Sequence, residues 1–91
     1  MIIEYKLNNE QYELCQKYVM QVYEGDEQKI TLDDTLKIIS ADETAVDDFL
    51  DAADYAIIEF GMVNQDYLSP LGCKLQILYD ELLYQTNEQI K

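Results

Sequence analysis

The chain has 91 residues, of which 48% are hydrophobic, and nineteen carboxylates face six lysines, giving a formal net charge of −13 at pH 7. This length predicts a single domain over residues 1–91 with a modest core, and the apolar content is too high for an acidic disordered tail. The charge disfavours binding to nucleic acid backbones or anionic lipid, because both affinities come from cations that neutralise phosphates.

The chemical inventory also argues against an enzyme. Arginine, histidine and tryptophan are absent, so no unperturbed side chain titrates near neutral pH, and neither cysteine lies in a motif that supplies a base. We therefore predict no catalytic residue, no metal site and no cofactor. Calcium or magnesium would meet aspartates on only one side of a rigid helix, which cannot surround an ion.

Cysteine usage and the N-terminal segment bear on the compartment. Cys15 and Cys73 form no C-x-x-C pair, and their sparseness favours free buried thiols in a reducing compartment over a disulfide. The first residues, MIIEYKLNN, contain an acid and no apolar run of useful length, so we expect neither a signal peptide nor a membrane anchor. The sequence predicts a cytoplasmic protein.

The first two predicted elements are a strand and a helix. Residues 2–7 alternate between apolar and polar positions, which is typical of a strand. Asn8 suits an N-cap with Gln11 as its capping-box partner, and Gly25 suits the C′ position. This first helix should run from Asn9 to Glu24 and bury one stripe: Tyr12, Cys15, Val19, Val22 and Tyr23.

Capping signals predict a second, short helix. Residues 26–30 read as a loop, with one short strand pair around 29–32. Thr31 followed by Asp34 fits a capping box, and Leu32, Leu36 and Ile39 form a helical stripe. Ser40 followed by Glu43 repeats the signal, so the chain should break near Ser40 and begin a new helix.

The new helix, residues 42–61, carries seven acids and no positive charge. At 100° per residue its apolar and acidic positions separate onto opposite faces, which predicts the central helix of the core. The core face consists of Ala45, Val46, Phe49, Leu50, Ala52, Ala53, Ala56, Ile57 and Phe60. The acidic face consists of Glu43, Asp47, Asp48, Asp51, Asp54 and Glu59, with Tyr55 and Ile58 among them.

A connector and a last helix follow Gly61. Residues 62–68 suit either a very small hairpin or an extended connector. Ser69 and Pro70 then fit an N-cap and an N1 proline, and a leucine stripe begins at Leu71. A second apolar strip, Cys73, Ile77 and Tyr84, lies on nearly the opposite side, and the tail from Thr86 should fray. The predicted fold is a compact, mainly α (α+β) domain of four helices with an N-terminal strand.

The order of elements from about residue 29 to 83 resembles a winged-helix domain. The phrases Phe60–Gly61–Met62–Val63 and Tyr67–Leu68–Ser69–Pro70–Leu71–Gly72 are similar to the segment where the recognition helix of such domains ends and the wing begins and closes. The resemblance implies a helix in the major groove of DNA and a wing on phosphate. Here the helix in that position is acidic, and its carboxylates would repel phosphates. A DNA-binding function therefore does not follow from a winged-helix-like fold.

The acidic face is the candidate functional surface. Several carboxylates on it repel one another at i, i+3 and i, i+4 spacing, which lowers the stability of the fold. Two interpretations therefore stay open: a functional electronegative surface, and a solvated face that only keeps the protein soluble. The candidate partner-binding residues are Glu43, Asp47, Asp48, Asp51, Asp54, Tyr55, Ile58 and Glu59. The expected partner is a basic protein surface, and a sharper version is a nucleic-acid-mimicking inhibitor of a DNA- or RNA-binding enzyme such as a nuclease, restriction or CRISPR effector.

Two alternatives come from other functional classes. The second strip of the last helix, Cys73, Ile77 and Tyr84, could join two copies into a structural or regulatory homodimer. A DNA-binding regulator of winged-helix type is the least favoured, because it conflicts with the charge. Neither direct nucleic acid binding nor membrane binding is expected.

Overall fold

The structure is a computed structural model that describes residues 1–63 and 67–90. Three antiparallel strands form the main sheet in the order β1–β3–β2: β1 is Ile2–Lys6, β2 is Ile30–Asp33 and β3 is Ile38–Asp42. Alternation along the strands places Ile3, Tyr5, Ile39 and Ala41 on one face, where they are fully buried. The predicted N-terminal strand is confirmed, and it pairs with a partner strand that the sequence did not reveal.

Helix α1 covers residues 9–22 and contains a π-helical segment, Cys15–Val19, between Asn9–Leu14 and Met20–Val22. The predicted capping box is present: the Asn8 side chain accepts from the Gln11 amide, and the Gln11 side chain accepts from the Asn8 amide. The expected C-terminus is wrong by two residues. Tyr23 already has an extended backbone, so Gly25 is not a C′ residue.

The predicted second helix is wrong, because residues 30–42 form the β2–β3 hairpin. Its loop begins with the Asp33 carboxylate, which accepts from the amides of Thr35 and Leu36 at 3.0 Å each. Lys37 closes the loop with a φ of 57°, and its ammonium lies 5.0 Å from the centre of the Tyr12 ring. Long-range pairing to β1 therefore overrides the local helical stripe.

The molecule is an α+β fold with three helices and a small sheet. The four-helix count is wrong, since the second helix of that prediction is a hairpin. The resemblance to winged-helix domains is not confirmed for the same reason: the helix expected before the recognition helix is absent from residues 30–42.

Helix α2, Val46–Gly61, is the predicted acidic helix. It follows a 3₁₀ turn, Glu43–Ala45, capped by Asp42 and not by Ser40, because β3 continues to Asp42. The Asp42 carboxylate accepts from the Thr44 amide at 2.9 Å. The predicted core face is confirmed, with two members half-buried and the rest buried: Ala45, Val46, Phe49, Leu50, Ala52, Ala53, Ala56, Ile57 and Phe60.

Between α2 and the last helix the chain makes a small strand pair, β4 (Met62–Val63) and β5 (Tyr67–Leu68). Of the two alternatives for residues 62–68, the paired strands favour the small hairpin over an extended connector, and residues 64–66 lie outside the described residues. Helix α3, Pro70–Ile90, begins as predicted: the Ser69 hydroxyl accepts from the Gly72 amide at 3.0 Å. Within the described residues, none of the helices combines the length and the hydropathy needed to cross a membrane.

Two glycines bring α2 and α3 together. A Cβ atom on Gly72 would lie 2.1 Å from the carbonyl oxygen of Gly61, and one on Gly61 would lie 2.4 Å from the Cα of Gly72. No side chain fits either position while the backbones stay where they are. The same Gly61 oxygen accepts from the Ser69 amide at 2.7 Å and the Ser69 hydroxyl at 3.0 Å. This contact fixes how the acidic helix meets the last helix.

The predicted fraying from Thr86 is wrong, because α3 continues to Ile90. Thr86 is buried, and its hydroxyl donates to the Leu82 carbonyl at 2.8 Å. The Tyr5 hydroxyl is 2.7 Å from the Thr86 hydroxyl oxygen, so Tyr5 is the donor there. This bond attaches the end of α3 to the sheet.

Candidate acidic interaction surface

The inward face of α2 fixes the direction of its acids. Phe49 packs on the sheet with its ring centre 5.2 Å from that of Tyr5, and Phe60 packs on α1 with its ring centre 5.1 Å from that of Tyr18. With both ends of the inner face held, the opposite side must meet solvent. The acids predicted to be on that side are all exposed: Glu43, Asp47, Asp48, Asp51, Asp54 and Glu59.

The outer side of α2 forms one wall of a groove, and the end of α1 forms the other. We call it the acidic groove; its volume is about 630 Å³. Its lining comprises Val22 at the end of α1, Glu24 and Gly25 in the segment that follows α1, and Asp48, Asp51, Ala52, Asp54, Tyr55 and Ile58 from α2. Five of the eight residues predicted to bind a partner therefore lie in one concave surface.

Two large apolar side chains are exposed among these carboxylates. Tyr55 is 51% exposed and Ile58 is 61% exposed. The Tyr55 hydroxyl donates to the Glu59 carboxylate at 3.2 Å. That hydrogen bond and the Glu59 charge are the main causes of a raised pKa for Tyr55, and the charge of Glu24 on the opposite wall adds to them. Glu24 thus acts across the groove on Tyr55.

Tyr23, the other tyrosine near the groove, lies in the same negative electrostatic field. Burial raises the pKa of Tyr23, and the charges of Asp48, Asp26 and Glu27 raise it further. Met1 pairs with Glu43 and Lys74 pairs with Glu10, and within residues 1–63 and 67–90 no carboxylate that lines the groove takes part in an ion pair. The negative charge of the acidic groove is therefore not compensated by the described residues.

Three of the predicted residues lie outside the groove. The Glu43 carboxylate binds the N-terminal ammonium of Met1 at 3.1 Å, beside the end of the sheet. Asp47 is exposed in the first turn of α2, where the helix dipole favours an acid. Glu59 holds the Tyr55 hydroxyl. Of the three, Glu59 is the one tied directly to a groove side chain.

The wall formed by α1 was not predicted from the sequence. Val22, assigned to the core, is half-buried against it as predicted and also lines the groove. Glu24, assigned to the last turn of a helix, lies beyond the end of α1 on the same wall. The run Glu24, Gly25, Asp26, Glu27 was a usable signal, since a glycine flanked by acids favours an exposed, charged turn. Which helix face this turn would meet depends on tertiary packing.

The strip predicted for self-association is on the surface of α3. Ile77 and Tyr84 are each 61% exposed, and Cys73 is exposed as well. Both cysteines are free as predicted, but only Cys15 is buried, so the expectation of two buried thiols is wrong for Cys73. Burial raises the pKa of the Cys15 thiol and makes that group a poor nucleophile.

The acidic groove can attract cations and can contact them through a ring face. Uncompensated carboxylates steer positively charged groups to a cleft, and a tyrosine face binds lysine or arginine side chains through its quadrupole. Comparison of the chain with protein family models, curated proteins and solved structures gave no match to any of them.

Proposed function

We propose that the protein is a non-enzymatic interaction module whose acidic groove binds a basic protein surface. The observation that carries this proposal is the juxtaposition, in one groove of about 630 Å³, of Glu24, Asp48, Asp51 and Asp54 with the exposed Tyr55 and Ile58. Charge alone would serve solubility. Exposed aromatic and aliphatic side chains surrounded by charge are the usual composition of a protein-binding hot spot.

The two kinds of residue have separate roles in this proposal. The carboxylates raise the rate of encounter with a cationic partner and set its orientation, an effect that salt weakens. Tyr55 and Ile58 lose solvent on binding and supply most of the affinity, since desolvated aromatic and aliphatic anchors dominate most interfaces. Lysine or arginine side chains of the partner would lie between Glu24 and the Tyr55 ring.

A sharper version of the proposal is nucleic acid mimicry, supported by the charge density of α2. At 1.5 Å per residue, the helix rises by about 10.5 Å from Asp47 to Asp54 and carries four carboxylates in that distance. One strand of B-DNA has a phosphate about every 3.4 Å and so carries about four phosphates over the same length, both ends counted. A protein channel built for a phosphate backbone would meet a similar density of negative charge here.

The test removes charge while preserving shape. Asp48→Asn/Asp51→Asn/Asp54→Asn should weaken binding to a fluorescent octa-arginine peptide at low salt and flatten the dependence of its affinity on salt. The matched control, Glu4→Gln/Glu13→Gln/Asp80→Asn, removes three exposed carboxylates that do not line the groove. Equal losses in both variants would refute a role for the groove, because net charge alone would then explain binding.

A competition experiment separates mimicry from general binding of basic surfaces. The protein is titrated into a complex of duplex DNA with a non-specific endonuclease, and release of the DNA is followed by fluorescence anisotropy. Mimicry predicts release and inhibition that the triple asparagine variant loses. If the protein binds the peptide but does not release the DNA, the proposal of an interaction module stands and the proposal of nucleic acid mimicry is refuted.

The second candidate is a structural or regulatory homodimer joined through the strip Cys73, Ile77 and Tyr84. Its support is the 61% exposure of both Ile77 and Tyr84 on a helix whose other face is already buried in the core. Sedimentation at two protein concentrations should show a mass above 10.6 kDa that Ile77→Asp returns to the monomer value. A monomer at both concentrations would eliminate this candidate.

The DNA-binding regulator remains the least favoured alternative. The helix that would enter the major groove presents Asp47, Asp48, Asp51 and Asp54 to solvent, and each would face a phosphate backbone of the same sign. A gel shift at low salt tests it directly, since non-specific electrostatic binding would be strongest there. We expect no retardation of duplex DNA.

A further inference from the structure

The outer edge of β1 is covered by two glutamine side chains of α3. The Gln89 amide oxygen accepts from the Glu4 amide at 2.9 Å, and its nitrogen donates to the Glu4 carbonyl at 2.7 Å. Gln85 repeats both bonds with Lys6, at 2.9 Å each. Every outward backbone group of Glu4 and Lys6 is therefore occupied by a side chain.

The spacing of the two glutamines fits the strand. Residues two apart on a strand are separated by about 6.8 Å, and residues four apart on a helix rise by about 6.0 Å. An antiparallel neighbour offers each outward strand residue one acceptor and one donor, and a primary amide offers the same pair. Gln85 and Gln89 thus reproduce the hydrogen bonds of a neighbouring strand.

We propose that Gln85 and Gln89 act as a strand surrogate that keeps the edge of β1 from pairing with a second copy of this chain. An uncovered edge strand is a template for pairing with another chain, and β1 lies at the edge of the main sheet. The proposal is independent of the acidic groove.

The sequence of β1 points to a second copy as the occupant. If two β1 strands meet antiparallel with Tyr5 opposite Tyr5, then Glu4 lies opposite Lys6 of the second copy, and Lys6 lies opposite its Glu4. The same backbone groups that now bind Gln85 and Gln89 would exchange hydrogen bonds, and both cross-strand pairs would join opposite charges. Pairing Glu4 with Glu4 instead would place like charges together.

The Gln89 side chain joins the last turn of α3 to the sheet through its two bonds to Glu4. Residues 87–90 are all exposed, and Thr86 is the last buried residue of the helix. The four bonds of Gln85 and Gln89 to β1 are themselves exposed to solvent. Loss of the Gln89 amide should release this turn and open the edge at Glu4, while the buried bond between Tyr5 and Thr86 still holds the preceding turn.

The test is Gln85→Ala/Gln89→Ala, studied by amide hydrogen exchange and by sedimentation over a range of protein concentrations. We expect loss of protection at the Glu4 and Lys6 amides at low concentration, and a mass that rises from 10.6 kDa towards twice that value at high concentration. A mass that stays equal to that of the native protein, with both amides unprotected, would overturn the proposal.

Charge exchange on β1 identifies the interface. Adding Glu4→Lys should abolish the new association, because the introduced lysine would then face Lys6 of the second copy. The substitution also lowers the net negative charge, which by itself would favour association, so a loss of the dimer would point to the cross-strand pair. Further addition of Lys6→Glu restores opposite charges and should restore the dimer. Association that ignores Glu4→Lys would contradict β1 pairing.

A milder variant covers the case in which the double substitution disrupts folding. Gln89→Ala lies in the exposed last turn, so the core is retained. It should accelerate exchange of the Glu4 amide while the Lys6 amide, still bonded to Gln85, keeps its protection. It should not associate, because Lys6 of each copy must also be uncovered before it can pair with Glu4 of the other. Unchanged exchange at Glu4, or association of this variant, would refute the proposal.

Discussion

Asp51→Asn should stabilise the free protein while it weakens the proposed binding. Asp51 lies on α2 with three like charges at helical spacing: Asp47 at i−4, Asp48 at i−3 and Asp54 at i+3. It lies beyond the first turn of α2, so the helix dipole, which favours acids in the first turn, does not compensate its charge. Each such repulsion costs about 0.2–0.5 kcal/mol, so removing three predicts a gain of about 0.6–1.5 kcal/mol in the free energy of unfolding.

The gain should be visible in both chemical and thermal unfolding. For a domain of this size, about 1 kcal/mol corresponds to a shift of about 4–8 °C in Tm, so we expect Tm to rise by roughly 2–12 °C. Asparagine and aspartate have similar helix propensities, so the change in propensity adds little. At about 1 M salt, where the Debye length falls to about 3 Å, most of the gain should disappear.

Asp80→Asn is the matched control. It removes the same charge from an exposed helical site, so the change in net charge is identical. No carboxylate lies three or four residues from it: those positions hold Gln76, Ile77, Leu83 and Tyr84. Asparagine can still accept the bond that the Gln76 amide donates to Asp80 at 3.2 Å. Equal stabilisation by the two substitutions would refute the argument from neighbouring carboxylates and would leave only net charge.

Further predictions concern packing, titration and thiol chemistry. Gly72→Ala should lower the urea midpoint by an amount that corresponds to about 1–3 kcal/mol, because its Cβ would lie 2.1 Å from the Gly61 oxygen; a higher midpoint, as helix propensity alone predicts, would contradict this. Burial and the hydrogen bond to the Asp34 carboxylate raise the pKa of Tyr12 from 10.0 to about 12, so the native state holds this proton more tightly than the unfolded state does. The free energy of unfolding should therefore fall as pH rises from about 10 to about 12, and this fall should be smaller in Tyr12→Phe. A thiol reagent should label Cys73 in the native protein and Cys15 only after unfolding.

The two longer helices could be predicted because their signals are local. The separation of apolar and acidic positions in α2, and the Ser69–Pro70 start of α3, each require only neighbouring residues. The end of α3 was missed because it depends on distant contacts. Thr86 and Gln89 are polar and suggest fraying, but they are held by Tyr5 and Glu4, more than 80 residues away.

The β2–β3 hairpin was missed because one segment satisfies two patterns. Leu32, Leu36 and Ile39 are spaced for a helix, while Ile39 and Ala41 alternate as in a strand. Local propensity cannot decide between them. Pairing decides, since β3 gains neighbours on both sides, and Ile39 and Ala41 are then fully buried.

For the acidic groove, the sequence predicted one wall and not the other. The face of α2 follows from helical periodicity, but the approach of Glu24 depends on where α1 ends, and α1 ends two residues earlier than expected. The π-helical segment, Cys15–Val19, further changes the direction of the residues that follow it. Neither feature has a reliable local signal.

The inner face of α2 explains why its acids can be tested without loss of the fold. Phe49, Ala53 and Ala56 are almost fully buried, so rotating the helix to hide its carboxylates would expose this face and bury charge. The orientation is therefore set by the core, and substitutions of the exposed acids leave it in place. If the acids served only solubility, Asp51→Asn would raise stability at no cost to any interaction. If they serve the proposed interaction, the same substitution must raise stability and lower affinity together, with both effects declining as salt increases.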